Sequence, residues 1–355
     1  MGWCWLAGLL CAPVVRADAP AVRPSPALAR EASATPHARV VVVRDPEATD
    51  AYEARAERVL ALVHSGLTNF TGQPTPAAAW RSLVSTQDIV GLKVYSAPGA
   101  KSGTRPAVVA AVIEGLLAAG LPPTNIVVWD KHRADLRLDG FYELAEKYGV
   151  RVESSAAAGY DETTFYEKSI VGQLVWGDLE FGRQAEGVGR KSFVSKLVTH
   201  DLTKIVNLTP LLNHNSAGVT GNLFSLALGS VDNTLRFETD PGRLADAVPE
   251  IYALRAVGDR VVLNLVDALI CQYQGEQRGL LHYSKALNEI RLSKDPVALD
   301  VLSFHELDRQ RQAFDRQRPV AKNNLPNYGV ELLQNAALLE LGVSDTAHIQ
   351  VERVP

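Results

Sequence analysis

The chain has 355 residues, 46% of them hydrophobic and 21% charged, which is ample for a buried core in one large domain or two modest ones. Its net charge of −4, with no long basic run and no aromatic stacking motif of the RNA-binding kind, argues against nucleic acid as a partner. Three cysteines are too few for a disulfide framework, and two of them fall in the first eleven residues.

Residues 1–15 are apolar (MGWCWLAGLLCAPVV), and Ala17-Asp18-Ala19 is a small-x-small cleavage pattern. Residues 1–19 therefore read as a secretory signal, although no Lys or Arg precedes the apolar run. The run is short of the roughly 20 residues that span a bilayer. The expectation is an exported protein, periplasmic or secreted, with no membrane span after cleavage. Residues 20–36, rich in Ala and Pro, read as a tether, and residues 37–355 as a single α/β domain. Cleavage leaves Cys271 alone beside an apolar run, where inert burial is expected.

Structure is expected to begin at the β-branched run 39–43. Asp45-Pro46 then opens a helix-like segment whose Val59, Leu60, Val63 and Leu67 recur at helical spacing. Residues 88–95 (DIVGLKVY) read as a strand. Residues 104–119 form the best helix, capped by Thr104 and stopped by Gly120. A strand at 125–129, a helix at 141–148 and a short strand at 150–152 follow. Residues 155–192 have weak periodicity and read as an irregular insertion or a small accessory sheet. Residues 203–212 (TKIVNLTPLL) read as a buried strand, 222–228 and 244–257 as helices, 260–265 and 289–292 as strands. Helices at 295–312 and 330–341 and an edge strand at 348–354 complete the chain. Strands alternating with helices argue a mostly parallel sheet with helices on both faces.

The strand at 203–212 ends in a polar, glycine-containing corner holding His214, Asn215, Gly218, Thr220 and Asn222. In an open α/β sheet, ligands bind beyond the carboxyl ends of the strands, so this corner is the expected site. An imidazole titrating near neutrality suits proton transfer at His214, whereas the plain alternative is a His that shapes the turn through the backbone. Lys93 lies inside an apolar strand, where it needs a carboxylate or an anionic ligand, and Asp130 ends the next strand. Asn215, Gly218, Thr220 and Asn222 suit either amide presentation to an anion or turn and cap chemistry. Asp267 and Asp295 are further ligand-contact candidates, with turn formation and helix capping as their alternatives.

Four stretches carry a resemblance: 88–95, the strand ending VVWD at Asp130, 207–233 (NLTPLLNHNSAGVTGNLFSLALGSVDN), and the pair VDAL at 266–269 with KDPVALD at 294–300. Their order and spacing are similar to those of the domain-of-unknown-function family 362, over most of 38–313. The resemblance implies an α/β fold and, in many members, export. Other members carry ferredoxin-like iron–sulfur modules, for which this chain lacks the cysteines, so no iron–sulfur cluster is expected. The pattern keeps Lys93 and His214 but has Tyr95 where Asn is usual, Asn213 where the family's Lys-Asp precedes the His, and Phe224-Ser225 in place of Lys-Asn.

These readings lead to an exported enzyme acting on a small anionic molecule, with Lys93 holding negative charge, His214 as acid or base and Asp130 orienting a partner. The alternative is a non-catalytic periplasmic binding or accessory protein. A third reading is an assembly partner of another exported protein. No HxH or HxxxH pair suggests a metal, and the glycines of GRQAEGVGRKS lack phosphate-loop spacing.

Overall fold

The computed structural model describes residues 1–2, 37–183, 187–317 and 328–354. The expected signal and tether therefore lie outside the described residues, and everything below concerns the compact unit Pro36–Pro355. β1 (Ala38–Arg44) is followed by a short hairpin, β2 (Thr49–Asp50) and β3 (Glu53–Ala54), then by α1 (Ala56–Thr71) and α2 (Pro76–Leu83). β4 (Val90–Lys93) leads to α3 (Pro106–Ala118), and β5 (Ile126–Asp130) through α4 (Arg133–Leu138) and α5 (Phe141–Tyr148) to β6 (Arg151–Ser154). A single turn, α6 (Ser155–Ala158), precedes the hairpin β7 (Tyr160–Gln173) and β8 (Val188–Ser195). β9 (Lys204–His214) and β10 (Gly218–Val219) enter α7 (Asn222–Ser230), α8 (Leu235–Glu238) and α9 (Pro241–Tyr252). β11 (Val261–Gln272) and β12 (Ser284–Ser293) lead to α10 (Pro296–Gln317), α11 (Tyr328–Leu338) and β13 (Ile349–Val354).

The main sheet runs β13-β1-β12-β11-β9-β4-β5-β6, with β10 paired to β9. Its pairs are parallel except those of β12 and β10. Alternate residues of each central strand feed two separate cores. Val90, Leu92, Val128, Val206 and Leu208 meet α1, α2, α3 and α5, while Val127, Trp129, Ile205 and Leu211 meet α7, α9, α10 and α11. Each fully buried Val or Leu contributes about 1.5–3 kcal/mol, and the period-two alternation is what commits each strand to this register.

From β4 the chain steps one way to β5 and β6, and later the other way to β9 and β11. The order reverses between β4 and β9. That is the switch point at which an open α/β sheet opens a crevice beyond its carboxyl ends.

Three expectations change and one pair of alternatives is decided. The helix expected from Asp45-Pro46 begins only at Ala56, because Ala51 and Tyr52 take left-handed backbone (φ 47 and 67) in the intervening hairpin. Thr104 does not cap α3. Its hydroxyl accepts from Tyr95 N at 2.9 Å and donates to Leu208 O at 2.8 Å, pinning the base of the loop after β4 onto β9. Of the two readings of 155–192, the small accessory sheet is the one that forms, β7 pairing with β8 antiparallel. β11 runs well past Leu265, so Asp267 sits inside a strand rather than after one.

Cys271 is fully buried in β11, and burial pushes its thiol up to about 12. A thiolate that scarcely forms does not react. Cys271 of the folded protein is therefore expected to resist thiol reagents until denatured, and its rapid labelling under native conditions would contradict this placement.

Candidate functional site

Lys93 and Asp130 meet at the carboxyl ends of the adjacent strands β4 and β5. Lys93 Nζ donates to Asp130 Oδ1 at 2.8 Å, to Val94 O at 2.6 Å and to Ser225 Oγ of α7 at 3.1 Å. An ammonium has three protons, and all three are used. Asp130 Oδ2 accepts from the Ser96 amide at 2.8 Å and hydroxyl at 2.7 Å, and Oδ1 also takes the Lys131 amide at 2.8 Å. Burial works against the carboxylate, but Lys93 and the Ser96 donors outweigh it and hold Asp130 below its ordinary range. Gly229 closes the knot, since a Cβ there would collide with Lys93 Cε. Lys93 is fully buried. In this arrangement it has neither a spare proton nor a route to an external anion.

The amino end of α7 is matched in the same way. Asp300 of α10 accepts from Asn222 N at 2.7 Å and Leu223 N at 3.0 Å, and from Asn222 Nδ2 at 2.9 Å. The anion expected at these amides is supplied by the chain's own carboxylate. Asn222 also accepts Asn207 Nδ2 on its backbone oxygen at 2.9 Å, which fastens the fully buried α7 to β9. Asp300 itself is buried, and burial pushes its carboxyl up to about 6 despite those amides.

His214 ends β9 and pairs with Gly218 across a tight hairpin. Its Nδ1 accepts from Ser216 N at 3.2 Å and Ala217 N at 3.0 Å. Two amide donors on Nδ1 assign the proton of the neutral ring to Nε2. Burial lowers the imidazole's pKa, with Glu276 and Glu238 opposing, so the ring is neutral near pH 7. It packs on Phe224, with ring centroids 4.3 Å apart, and Phe224 in turn packs edge-on against Tyr95 at 6.4 Å. Gly218 (φ 78) serves packing, because a Cβ would strike Phe304 and the backbone of Gly329. The Thr220 amide bonds to Leu212 O at 2.8 Å. Asn215 offers its amide to Glu276 at 2.7 Å and its side-chain oxygen to Asn213 at 3.3 Å.

Asp267 is held by Arg105, whose Nη1 lies 2.9 Å from Oδ1 and whose backbone amide lies 3.0 Å from Oδ2. Asp295 lies elsewhere. It follows β12, at the opposite end of the sheet from His214, and accepts from Ala298 N at 2.8 Å and Val343 N at 2.9 Å as the cap of α10. The structure thus brings Lys93 to Asp130 and leaves both out of contact with His214, with adjacent α7 residues serving the two sides, Phe224 for His214 and Ser225 for Lys93.

Around His214, Tyr95 and Phe224 stand groups that the sequence reading did not single out. Gln277 Nε2 donates to the Tyr95 hydroxyl at 2.7 Å. Glu276 and Glu238 lie within electrostatic reach of both His214 and Tyr95. The half-buried Glu238 carboxylate has no hydrogen-bond or ion-pair partner among the described residues. Lys131, also half-buried, donates to Thr234 Oγ1 at 2.7 Å and faces Glu238. Only Lys131 had a sequence signal, its place just after the strand ending in Asp130. Glu238 and Glu276 come from short helical turns that no motif marks.

The sequence profile of the domain of unknown function 362 family matches residues 90–305, more than half of the chain. The chain belongs to this family. No curated protein matches it. The matched region contains β4 to the first part of α10, and so includes both the Lys93–Asp130 knot and the His214 corner. The four positions at which this member departs from the expected pattern gather here. Tyr95 and Phe224 form an aromatic cluster with His214, Asn213 Oδ1 accepts from Glu276 N at 3.1 Å beside it, and Ser225 Oγ accepts a hydrogen bond from Lys93. Among the described residues no three His, Cys, Asp or Glu side chains are grouped to hold a metal ion, and no helix is long and apolar enough to cross a membrane.

Proposed function

We propose that this member of the family is an exported protein whose principal task is to bind a small molecule in the crevice between the ends of β4 and β9. The observation that supports this reading is the arrangement of His214. Its ring is fixed by two backbone amides, presents Nε2–H as a donor, and lies against Phe224 in a wall shared with Tyr95. Aromatic faces with one fixed donor and the carboxylates of Glu238 and Glu276 nearby favour a planar ligand that is neutral or cationic and carries one acceptor. The two cations best placed to hold an anion, Lys93 and Arg105, are each matched by an internal carboxylate. Export rests on the amino-terminal sequence pattern alone.

A catalytic reading on a small anionic molecule is favoured by one observation: Glu238, without a hydrogen-bond or ion-pair partner among the described residues, lies within electrostatic reach of both Lys131 and His214. There Lys131 would hold the negative charge and Glu238 would exchange protons with His214. A thermal-shift screen of aromatic amines, neutral heteroaromatics, carboxylates and phosphorylated compounds separates the two. Binding predicts stabilisation by the first two groups and its loss in His214→Ala, with the ligand recovered unchanged. Stabilisation by anions alone, or conversion of the ligand, would contradict it.

A further inference from the structure

The aromatic wall assigned above to a ligand is covered in this structure: Phe224 is 6% exposed and Tyr95 8%. A ligand can lie against it only if some segment moves. The turn between β11 and β12 is bonded at both ends of that wall. Asn215, next to His214 in the chain, donates its amide to Glu276 Oε1 at 2.7 Å, and Asn213 Oδ1 accepts from Glu276 N at 3.1 Å. At the other end, Gln277 Nε2 donates to the Tyr95 hydroxyl at 2.7 Å. The turn thus leaves β11, bonds to the end of β9 and reaches Tyr95 just beyond β4, spanning the point where the strand order reverses.

Its attachments are of a kind that can release. Among the described residues, no backbone–backbone hydrogen bond joins residues 274–282 to another part of the fold. Arg278 N bonds to Gly275 O within the turn, and Tyr273 N bonds to Tyr283 O across its base. Gln272, at the end of β11, fastens that base. Its Oε1 accepts from Leu280 N and Ser102 Oγ, each at 2.8 Å, and its Nε2 donates to Glu276 O at 2.7 Å. Glu276 takes left-handed backbone (φ 50) between Gly275 (φ 97) and Gly279 (φ 64). A residue with a side chain stays in that region only where its surroundings hold it there, as the bonds to Asn213, Asn215 and Gln272 do. Glycine tolerates either sign of φ, so Gly275 and Gly279 can absorb the change when Glu276 is released.

We propose that residues 275–279 form a strap closed over the wall of His214, Phe224 and Tyr95, which swings open about Gly275 and Gly279 when its bonds to Asn213, Asn215 and Tyr95 break together. That the opening admits a ligand rests on the reading of this wall as a binding site; the motion itself does not.

Residue-resolved amide exchange of the free protein tests the motion. Gln277 is exposed, and Gln277→Ala removes one tether, so its melting temperature should stay within about 2 °C of wild type. If the strap releases as a unit, losing the Tyr95 bond speeds opening at the far end as well. The amides of Glu276 and Asn215, neither of which bonds to the Gln277 side chain, should then exchange roughly three- to tenfold faster, by a shared factor. The Tyr273 amide at the base and the Thr220 amide, which bonds to Leu212 O, should keep their wild-type rates. Unchanged exchange at Glu276 and Asn215 would overturn the proposal, because the tethers would then break one by one. Faster exchange at Tyr273 and Thr220 as well, or a melting temperature lower by several degrees, would overturn it equally, because the whole corner would then loosen. No ligand enters the measurement. A strap that fails it leaves the proposed site standing, and a screen that finds no ligand leaves the strap standing.

Discussion

Lys93→Met is expected to destabilise the fold by about 3–5 kcal/mol in chemical denaturation, because it leaves the Asp130 carboxylate buried without its counter-charge. The double variant Lys93→Met/Asp130→Asn should recover a large part of that loss, since two neutral groups of similar volume carry no buried charge. The coupling between the sites should appear as strong non-additivity. Acid should act on the same pair. Asp130 is held below its unfolded value of 3.8, so its contribution is present above that pH and is lost as the pH falls through its lower folded value. A Lys93→Met cost below about 1 kcal/mol, the range of a surface ion pair, would mean that the knot is not formed in solution.

The second large effect is expected at Asp300. Asp300→Ala removes the acceptor for two backbone amides and one side-chain amide at the buried start of α7, and should cost about 2–4 kcal/mol. Here the pH dependence runs the other way. Burial raises the Asp300 carboxyl to about 6, so the folded chain holds this proton more tightly than the unfolded chain. The stability that the wild type gains from Asp300 therefore falls as pH rises from 3.8 to about 6. The gap between wild type and Asp300→Ala should be widest near pH 4 and narrow above pH 6. A gap that widens with pH would show that the helix amides, rather than burial, dominate this carboxyl.

The sheet was legible because its strands are apolar and β-branched and its helices are marked by Pro near their starts, as at Pro106 and Pro296. A parallel sheet buried on both faces leaves that signal in its sequence. The strand ends were harder to read. Asp267 is a residue that usually stops a strand, and nothing local reveals that Arg105, 162 positions away, neutralises it and lets β11 continue. The same holds at the site. Residue types identified the groups that need partners, Lys93 and the Asn222 amides, but not whether those partners are ligands or other parts of the chain. The structure supplies Asp130 and Asp300. Conversely, Glu238 and Glu276 look like ordinary surface carboxylates in sequence and come near His214 and Tyr95 only through the fold.

The most direct test of the account uses whichever compound stabilises the wild type, measured by calorimetric titration against two variants. Phe224→Ala opens the aromatic wall beside His214. Lys93→Met/Asp130→Asn alters the knot behind α7 while keeping it neutral. The account predicts that Phe224→Ala abolishes binding and that the double variant, once folded, binds within a few-fold of wild type. Binding that survives Phe224→Ala and disappears with the Lys93–Asp130 pair would contradict it, and would place the ligand at the knot instead of the crevice.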